Sequence, residues 1–361
     1  MSSTLIRSAG EKVLRGGTIT REEASGLMAL TDPADILELG SWAARVRAKY
    51  TGKSCQLCAL VNAKSGECAE NCRFCAQSGH YQTDISTYPL MNPQAVLERA
   101  RQAEQFGAKR FCIVTATRGL SDQDLPYVAE AVRLVRRETS MAPECSLGFV
   151  TDDQLEALKD AGMTRYNHNL ETCESNFPKI CTTHTYQDRV NTLKQLRKHG
   201  MERCAGGILG LGETPEGRLE LAFALAELEV ECVPVNVLNP RPGTPLEQTT
   251  PPEPLEVIKT IAIFRLILPW AIIELAGGRE VNMRDLQSIA LLCGANGLII
   301  GSYLTTIGRQ PDEDLQLVQD LGFVPDTGEA RTSVVRASAD TTSAAKASAG
   351  KAQEKFEAPV L

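Results

Sequence analysis

The sequence predicts an α/β protein, a (β/α)8 TIM-type barrel with an N-terminal helical extension and a disordered C-terminal tail. Two observations favour this fold class: short β-rich runs alternate with helical patterns along most of the chain, and there are eight such pairs. A strand-then-helix order implies a parallel sheet with crossover helices. An open, doubly wound sheet is the alternative, and only the count of eight favours a closed barrel.

Residues 1–50 make up the predicted N-terminal extension. Thr20 stands three residues before Glu23, and Thr31 precedes Asp32 and Pro33, so both sites carry residues that typically cap the start of a helix. The first residues contain no apolar stretch of signal-peptide length. We therefore expect helices ahead of the barrel and no export signal.

The barrel is expected to span residues 51–325. Its β-rich runs lie at 54–63, 109–115, 144–150, 164–170, 202–209, 231–238, 271–276 and 297–301. The helical patterns lie at 92–106, 121–138, 151–161, 186–199, 215–229, 253–268, 284–293 and 312–321. Since ligands of such barrels bind at the carboxyl ends of the strands, we expect the functional residues there.

The last segment, residues 326–361, consists mostly of Ala, Ser, Thr and Lys with few large apolar side chains. Such a composition cannot bury enough apolar surface to offset the conformational entropy lost on ordering. We therefore expect this tail to be disordered.

The overall composition excludes several classes of protein. Hydrophobic residues make up 43% and charged residues 23%, as in globular proteins, and the net charge is −7. An acidic chain argues against a nucleic-acid partner, which usually requires a basic face. The longest apolar run, residues 266–273, is too short to cross a membrane. We expect a cytoplasmic protein that binds neither nucleic acid nor membrane.

Twelve cysteines and four histidines are the unusual numbers. In a reducing cytoplasm, cysteines in a chain of this length are metal ligands or buried small side chains rather than disulfides. The scarcity of histidine favours thiolate-held iron over histidine-rich zinc sites.

The most specific motif follows the first β-rich run, where Cys68, Cys72 and Cys75 lie within eight residues. Three thiolates at this spacing can bind three irons of a [4Fe-4S] cluster and leave the fourth iron open to a ligand. A structural zinc site is the alternative, because Cys55, Cys58, Cys72 and Cys75 approach a zinc-ribbon spacing. That alternative leaves Cys68 unused.

The triad, with Phe74 before its last cysteine, is the signature of the radical S-adenosylmethionine (SAM) superfamily. The surrounding NAKSGECAENCRFCAQSGHY closely resembles the biotin synthase family. The similarity continues over about residues 40–322, in RFCIV, TRYNHNLET, TTHTYQDR, RCAGGILGLGET, PVNVLNPRPGTPLE and LAGGRE.

This resemblance implies a sulfurtransferase that converts dethiobiotin to biotin. One electron from a [4Fe-4S] cluster cleaves SAM, the resulting 5′-deoxyadenosyl radical abstracts hydrogens, and an auxiliary iron–sulfur cluster donates the sulfur. The resemblance also implies a flavodoxin- or ferredoxin-type electron donor and a homodimer. Another radical SAM enzyme with an auxiliary cluster, acting on a different small molecule, is the alternative.

The resemblance also implies residue roles. Cys68, Cys72 and Cys75 would hold the first cluster, with Phe74 near the adenine of SAM. Glu171 would hold the SAM ribose and Arg189 the SAM carboxylate, while Asn169 would contact both cofactor and substrate and Asn236 the substrate. The auxiliary cluster, a [2Fe-2S] cluster or a variant of it, would be held by Cys112, Cys145 and Cys204.

The sequence departs from the family pattern at Glu274, where the best-known members have an arginine ligand to the auxiliary cluster. A carboxylate changes the charge of the ligand set, so the cluster type is left open. Cys58 and Cys181 are candidates for further ligands. The remaining cysteines, Cys55, Cys173, Cys232 and Cys293, are expected to be packing residues.

Overall fold

The structure, a computed structural model, describes residues 2–306 and 308–326. It confirms the closed parallel barrel. The strands are β1 (Ser54–Lys64), β2 (Arg110–Thr115), β3 (Ala142–Ser146), β4 (Arg165–Asn167), β5 (Glu202–Cys204), β6 (Gly207–Leu209), β7 (Cys232–Val237), β8 (Ile272–Leu275), β9 (Gly297–Ile299) and β10 (Val324–Pro325).

Every strand pairing in the sheet is parallel. The strands follow one another in chain order from β1 to β9, and β9 pairs with β1 to close the barrel. The fifth position is shared by β5 and β6, which both pair with β7. Eight barrel positions therefore result, and β10 adds a short pairing at the start of β1.

The helices are α1 (Ser2–Leu14), α2 (Arg21–Met28), α3 (Pro33–Thr51), α4 (Pro93–Gln105), α5 (Leu125–Glu138), α6 (Asp152–Asp160), α7 (Tyr186–Lys198), α8 (Pro215–Glu227), α9 (Pro254–Ile267), α10 (Arg279–Met283), α11 (Gln287–Leu292) and α12 (Pro311–Asp320). Short 3-10 turns occupy Phe177–Lys179 and Arg284–Leu286. The sequence did not predict α10, β10 or the first of these turns.

The N-terminal region is helical, as the capping residues predict. Thr20 and Glu23 form a reciprocal capping box at the start of α2, and the Asp32 side chain accepts a hydrogen bond from Ala34 N at the start of α3. α3 packs against both α1 and α9. The prediction of a disordered tail, residues 326–361, lies outside the described residues except for Asp326.

The two faces of each barrel strand have different environments. Side chains such as Leu57, Phe111 and Tyr166 are buried between the strands and the helices. Each large apolar side chain buried in this way contributes roughly 2 kcal/mol to stability. The alternate positions point into the barrel lumen, where cysteines and charged groups lie. Within the described residues no helix is long and apolar enough to cross a membrane.

Candidate active site

The loop after β1 brings Cys68, Cys72 and Cys75, the mouth thiols, to the carboxyl end of the barrel. Backbone hydrogen bonds fold this loop: Cys68 N donates to Gln77 O at 3.0 Å, Gly79 N to Cys68 O at 2.8 Å, and Cys75 N to Cys72 O at 3.0 Å. The loop geometry is therefore set by the polypeptide itself, which preorganises the three thiols.

The cysteine loop, residues 68–75, is held against residues 180–184. Arg73 N donates to Ile180 O at 3.0 Å. The Asn71 side chain accepts from Thr182 N at 2.9 Å and donates to Thr182 Oγ1 at 2.6 Å. These contacts join two segments more than 100 residues apart in sequence, so they fix the loop relative to the rest of the barrel mouth.

Burial raises the pKa of Cys75 to about 11 and also raises the pKa of Cys68. Both side chains are therefore neutral thiols at neutral pH in the absence of a metal. Iron binding must displace their protons, since only the thiolate is a good ligand. Three soft donors in one preorganised loop fit an iron–sulfur cluster with one open iron.

Cys181 lies at this mouth and not in the lumen. Its Sγ atom is 3.8 Å from Cys72 Sγ and 3.3 Å from His184 Nδ1. The hydrogen bond donated by Cys72 lowers the pKa of Cys181. The structure therefore places Cys181 away from the lumen, where the auxiliary cluster is expected, because the segment that carries it folds against the cysteine loop.

The structure brings Asn169, Glu171 and Arg189 together beyond the end of β4. Arg189 NH1 donates to Asn169 O at 2.8 Å and lies 3.6 Å from Glu171 Oε1. Burial raises the pKa of Glu171, and the charge of Arg189 opposes this rise. Glu171 has a left-handed backbone conformation (φ 68°), and its backbone pairs with that of Gly207. A Cβ at position 207 would lie 2.6 Å from Glu171 O, so this close approach requires glycine.

Two other predicted contact residues have protein partners. Phe74 is half-buried against an apolar cluster of Ile180, Leu211 and Leu238. Asn236 accepts a hydrogen bond from Gly277 N at 2.9 Å and donates to Gly207 O at 3.2 Å. Asn236 thus ties neighbouring strand ends together, and its amide retains one further N–H and one lone pair for a ligand.

A charged belt of Arg110, Glu144, Arg165 and Glu202 lies in the lumen. Glu144 Oε1 is 3.0 Å from Arg110 NH1 and 3.1 Å from Arg165 NH1, and both arginines also contact Glu202. Arg165 is fully buried. Buried charges of this kind are tolerated only when they are paired, so removing one side chain of the belt leaves its partners uncompensated.

Four cysteines from four strands, the lumen thiols Cys58, Cys112, Cys204 and Cys232, lie near this belt. Cys58 and Cys112 share one buried cluster, and Cys204 and Cys232 share another. The donor atoms of Cys204, Cys232 and Glu274 all lie within 4.8 Å of one another. The prediction for Cys112 and Cys204 as lumen residues agrees with this arrangement, and Cys58 joins them.

Glu274 is a shared neighbour of both cysteine pairs. Burial, and the charges of Glu144 and Glu274 in addition, raise the pKa of Cys58 and of Cys112. The hydrogen bond with Cys232, burial and the charge of Glu274 raise the pKa of Cys204. Burial and the charge of Glu144 raise the pKa of Glu274 itself to about 7. Together the four thiols and this carboxyl group form a donor set suited to iron.

The structure does not place Cys145 with these thiols. In the β2–β3 register, Cys112 is opposite Glu144, and Cys145 is opposite Ile113. Cys145 is buried in the apolar layer between barrel and helices, while Glu144 points into the lumen and binds Arg165. The prediction for Cys145 misses by one residue, because a shift of one position moves a side chain to the other face.

Sequence reasoning missed Cys232, Glu144, Glu70 and His184. Cys232 could have been found, since it precedes Asn236 by four residues in one strand and so shares its face. Glu144 offered no signal without the register of β3. Glu70 and His184 form a contact of 2.5 Å between the cysteine loop and residues 180–184, which no local pattern indicates.

Two buried acceptors on the lumen strands lack a protein partner. Asn62 Oδ1 and Asn167 Oδ1 receive no hydrogen bond from the described residues. The same two side chains donate elsewhere: Asn62 Nδ2 to Gln77 Oε1 at 3.0 Å and Asn167 Nδ2 to Cys112 Sγ at 3.0 Å. An unsatisfied buried acceptor is costly, so these oxygens fit a ligand that carries N–H groups.

Comparisons with known proteins agree with this geometry. Residues 64–225 match the radical SAM superfamily, and residues 234–324 match the biotin and thiamin synthesis associated domain. The biotin synthases of Pelotomaculum thermopropionicum and Carboxydothermus hydrogenoformans are each 48% identical to the chain. The alignments cover 86% and 87% of this chain respectively, and 97% of each relative.

Solved structures of lower identity share the fold. A methylornithine synthase superposes with a TM-score of 0.77 at 20% identity, over 88% of this chain and 97% of that protein. The FeFe-hydrogenase maturase HydG from Carboxydothermus hydrogenoformans superposes with a TM-score of 0.76 at 18% identity, over 91% of this chain and 81% of that protein.

Proposed function

The chain belongs to the biotin synthase family of radical SAM enzymes, and from this premise we propose how its own residues divide the work between two iron–sulfur sites. The enzyme inserts sulfur into dethiobiotin to form biotin. Family membership implies a [4Fe-4S] cluster with SAM and an auxiliary cluster. Bound together, the first cluster and SAM supply the electron and the hydrogen-abstracting radical, and the auxiliary cluster supplies sulfur.

The mouth thiols Cys68, Cys72 and Cys75 hold the [4Fe-4S] cluster in this proposal. Support comes from the preorganised loop, which presents three thiols in eight residues and gives the cluster no fourth cysteine of its own. Cys181 is the nearest additional thiol, and it lies outside the loop, where it accepts a hydrogen bond from Cys72 and also contacts His184 and Thr183. The fourth iron is thereby left for SAM.

SAM is bound beside this loop by Arg189, Glu171 and Asn169. The Arg189 guanidinium is suited to the SAM carboxylate because it presents paired N–H donors. Glu171, held in place by its pairing with Gly207, accepts from the ribose hydroxyls. Phe74, at the apolar cluster with Ile180, packs near the adenine.

The auxiliary cluster is held by the four lumen thiols in place of the predicted set with Cys145. Four thiolates carry more negative charge than three thiolates with an arginine, and Glu274 adds a carboxyl group. The charges of Arg165 and Arg110 oppose the rise in the pKa of Glu274, and Arg165 also opposes the rise in the pKa of Cys58. A cluster with four cysteine ligands therefore fits this lumen better than a [2Fe-2S] cluster with an arginine ligand.

Dethiobiotin binds between the two thiol sets. Its ureido N–H groups match the two unpartnered acceptors, Asn62 Oδ1 and Asn167 Oδ1. Asn62 lies on β1, which also carries Cys58, and the Asn167 side chain on β4 contacts Cys112 Sγ. Asn169 and Asn236 offer further amide groups at the strand ends. In this arrangement the chain positions the substrate and excludes water around it.

From family membership we propose an external one-electron donor of the flavodoxin or ferredoxin type and a homodimeric state, and from the composition a cytoplasmic location. Turnover assays with reduced flavodoxin or ferredoxin and light scattering of the purified protein test the first two.

The observation that carries the proposal is the separation of the mouth thiols from the lumen thiols. Cys232→Ala tests it, with Cys145→Ala as the matched control. We expect Cys232→Ala to lose biotin formation while it still produces 5′-deoxyadenosine from SAM, and Cys145→Ala to retain both. Loss of biotin formation in Cys145→Ala with normal formation in Cys232→Ala would contradict the proposal.

A further inference from the structure

His184 connects the cysteine loop to the arginine that binds SAM. We propose that His184 is a positioning residue for SAM binding, which orients the Arg189 guanidinium and ties it through Glu70 to the loop of the mouth thiols. The inference rests on the proposed role of Arg189. It assigns a task to two residues, Glu70 and His184, that contact neither iron nor substrate in the proposed function.

The protonation of His184 follows from its neighbours. Arg189 Nε lies 2.9 Å from His184 Nε2, and an arginine Nε–H is always a donor. His184 Nε2 must therefore be the bare acceptor nitrogen, and the ring proton must be on Nδ1. Nδ1–H then donates to Glu70 Oε2 at 2.5 Å. One tautomer satisfies both contacts. In this tautomer Arg189 donates to His184, and His184 donates to Glu70.

The Glu70 carboxylate, at the end of these hydrogen bonds, is held in place by further contacts. Glu70 Oε1 accepts from Arg118 NH1 at 2.6 Å, and Oε2 accepts from Thr183 Oγ1 as well as from His184. Its backbone carbonyl accepts from Ser78 Oγ at 2.6 Å. Since Glu70 stands between Cys68 and Cys72, its hydrogen bond to His184 joins the imidazole directly to the cysteine loop.

The imidazole itself cannot easily turn. Its side chain is 1% exposed and lies edge-on to Phe149 and Phe177, with ring centroids at 5.4 and 5.5 Å. Phe177 also contacts Arg189, whose guanidinium carbon lies 5.8 Å from the Phe177 centroid. A fixed acceptor and a fixed aromatic face together define the plane of the guanidinium.

These contacts leave one edge of the Arg189 guanidinium available to a ligand. Nε is engaged by His184 and NH1 by Asn169 O, and among the described residues NH2 donates to no protein atom. The edge formed by NH1 and NH2 is thus presented to a ligand. A carboxylate accepts two parallel N–H bonds from such an edge. Orienting it before SAM arrives lowers the entropic cost of binding.

A metal site is the competing interpretation of the same atoms. Cys72 Sγ, Cys181 Sγ and His184 Nδ1 lie within 4.8 Å of one another. A metal ligand must present a lone pair, but the Arg189 contact places the proton on Nδ1. The geometry therefore favours a hydrogen-bond relay over metal binding at this nitrogen.

Two amide substitutions test the hydrogen bonds of His184 Nδ1 and His184 Nε2 separately. An asparagine amide reaches the position of Nδ1 and can still donate to Glu70, but it provides no acceptor for Arg189. A glutamine amide reaches the position of Nε2 and restores that acceptor. His184→Asn is therefore the test, His184→Gln the rescue, and His199→Asn, on the outside of the barrel between α6 and α7, the control for the substitution itself.

The measurement is the KM for SAM and the KM for dethiobiotin in the reconstituted full-length enzyme, together with its iron content. We expect His184→Asn to raise the KM for SAM about tenfold, the effect of one charge-assisted hydrogen bond. The KM for dethiobiotin and the iron content stay unchanged. His184→Gln restores most of the affinity for SAM.

Equal KM values for SAM in the Asn and Gln variants would overturn the proposal, as would loss of the cluster from both, since the residue would then be purely structural. Arg189→Ala distinguishes the two levels of inference. If Arg189→Ala leaves the KM for SAM unchanged, the proposed SAM site fails. If Arg189→Ala raises the KM for SAM and His184→Asn does not, only the role of His184 fails.

Discussion

The mouth thiols and the lumen thiols differ in how the chain brings them together. Cys68, Cys72 and Cys75 belong to one loop, whose own backbone hydrogen bonds determine its shape. The lumen thiols come from β1, β2, β5 and β7, and their meeting depends on the register of the entire barrel. A site of the first kind is encoded by spacing, whereas a site of the second kind is encoded by the fold.

The two sets also differ in their electrostatic surroundings. The mouth set lies beside Arg189 and near the solvent-accessible rim, while the lumen set lies above the buried charged belt. The belt keeps Glu144 and Glu202 paired, which limits the negative charge that the lumen thiols experience. We therefore expect changes at the mouth to act on chemistry and changes in the lumen to act on stability as well.

The largest effect is expected at the mouth, where Cys72→Ala removes one of three cluster ligands. Because no other thiol of the loop can replace it, cleavage of SAM and formation of biotin should both fall to background. Cys181→Ala is the matched control, since its sulfur lies 3.8 Å from Cys72 Sγ.

The assay is the yield of 5′-deoxyadenosine and biotin per enzyme under anaerobic reduction. Cys181→Ala should retain both products. An inactive Cys181 variant together with an active Cys72 variant would show that Cys181, and not Cys72, is the third cluster ligand.

The next effect concerns the charged belt below the lumen thiols. Arg165→Leu leaves Glu144 buried without one of its partners, which should lower the free energy of unfolding by about 3–5 kcal/mol. Arg101→Leu, which breaks the exposed pair with Glu138, should cost less than about 1 kcal/mol.

Urea unfolding of the cluster-free proteins, followed by far-UV circular dichroism, gives both values. Equal stability of the two variants would show that the belt does not support the lumen.

A smaller effect is expected from Glu274 through its titration. Its pKa rises from its usual 4.5 to about 7 through burial and the neighbouring Glu144. A raised carboxyl pKa means that the folded state binds the proton more tightly than the unfolded state. Stability of the cluster-free protein should therefore fall between pH 4.5 and pH 7, by about 3 kcal/mol at most, and then level off.

Unfolding free energies measured across this pH range test the prediction, with Glu274→Gln as the variant that lacks the titrating group. The slope should be shallower in Glu274→Gln. An identical pH profile in both proteins would place the Glu274 carboxylate in a more polar environment than the lumen.

The difference between local and long-range encoding also decides which features the sequence predicts. The barrel, its helices and the mouth thiols are recoverable because their signals are local: periodicity, caps and a three-cysteine spacing. Cys112 and Cys204 were also placed in the lumen. Cys145, whose role was implied by the resemblance, lies on the other face of β3 (Ala142–Ser146), because in so short a strand the facing residue depends on register.

Contacts between distant segments lay beyond sequence reasoning. Cys181 meets Cys72 across 109 positions, and His184 meets Glu70 across 114. Both contacts depend on how residues 180–184 fold over the barrel mouth. Cys232 is an intermediate case, since the alternation within β7 places it on the same face as Asn236.

The central claim is that seven cysteines form two separate iron sites, one in the mouth loop and one in the lumen. Iron anomalous scattering from anaerobically grown crystals of the reconstituted enzyme tests it most directly. We predict one group of iron peaks bound by Cys68, Cys72 and Cys75 and a second group bound by the lumen thiols, with Cys145 outside both. A single iron site, or lumen iron bound by Cys145, would contradict the account.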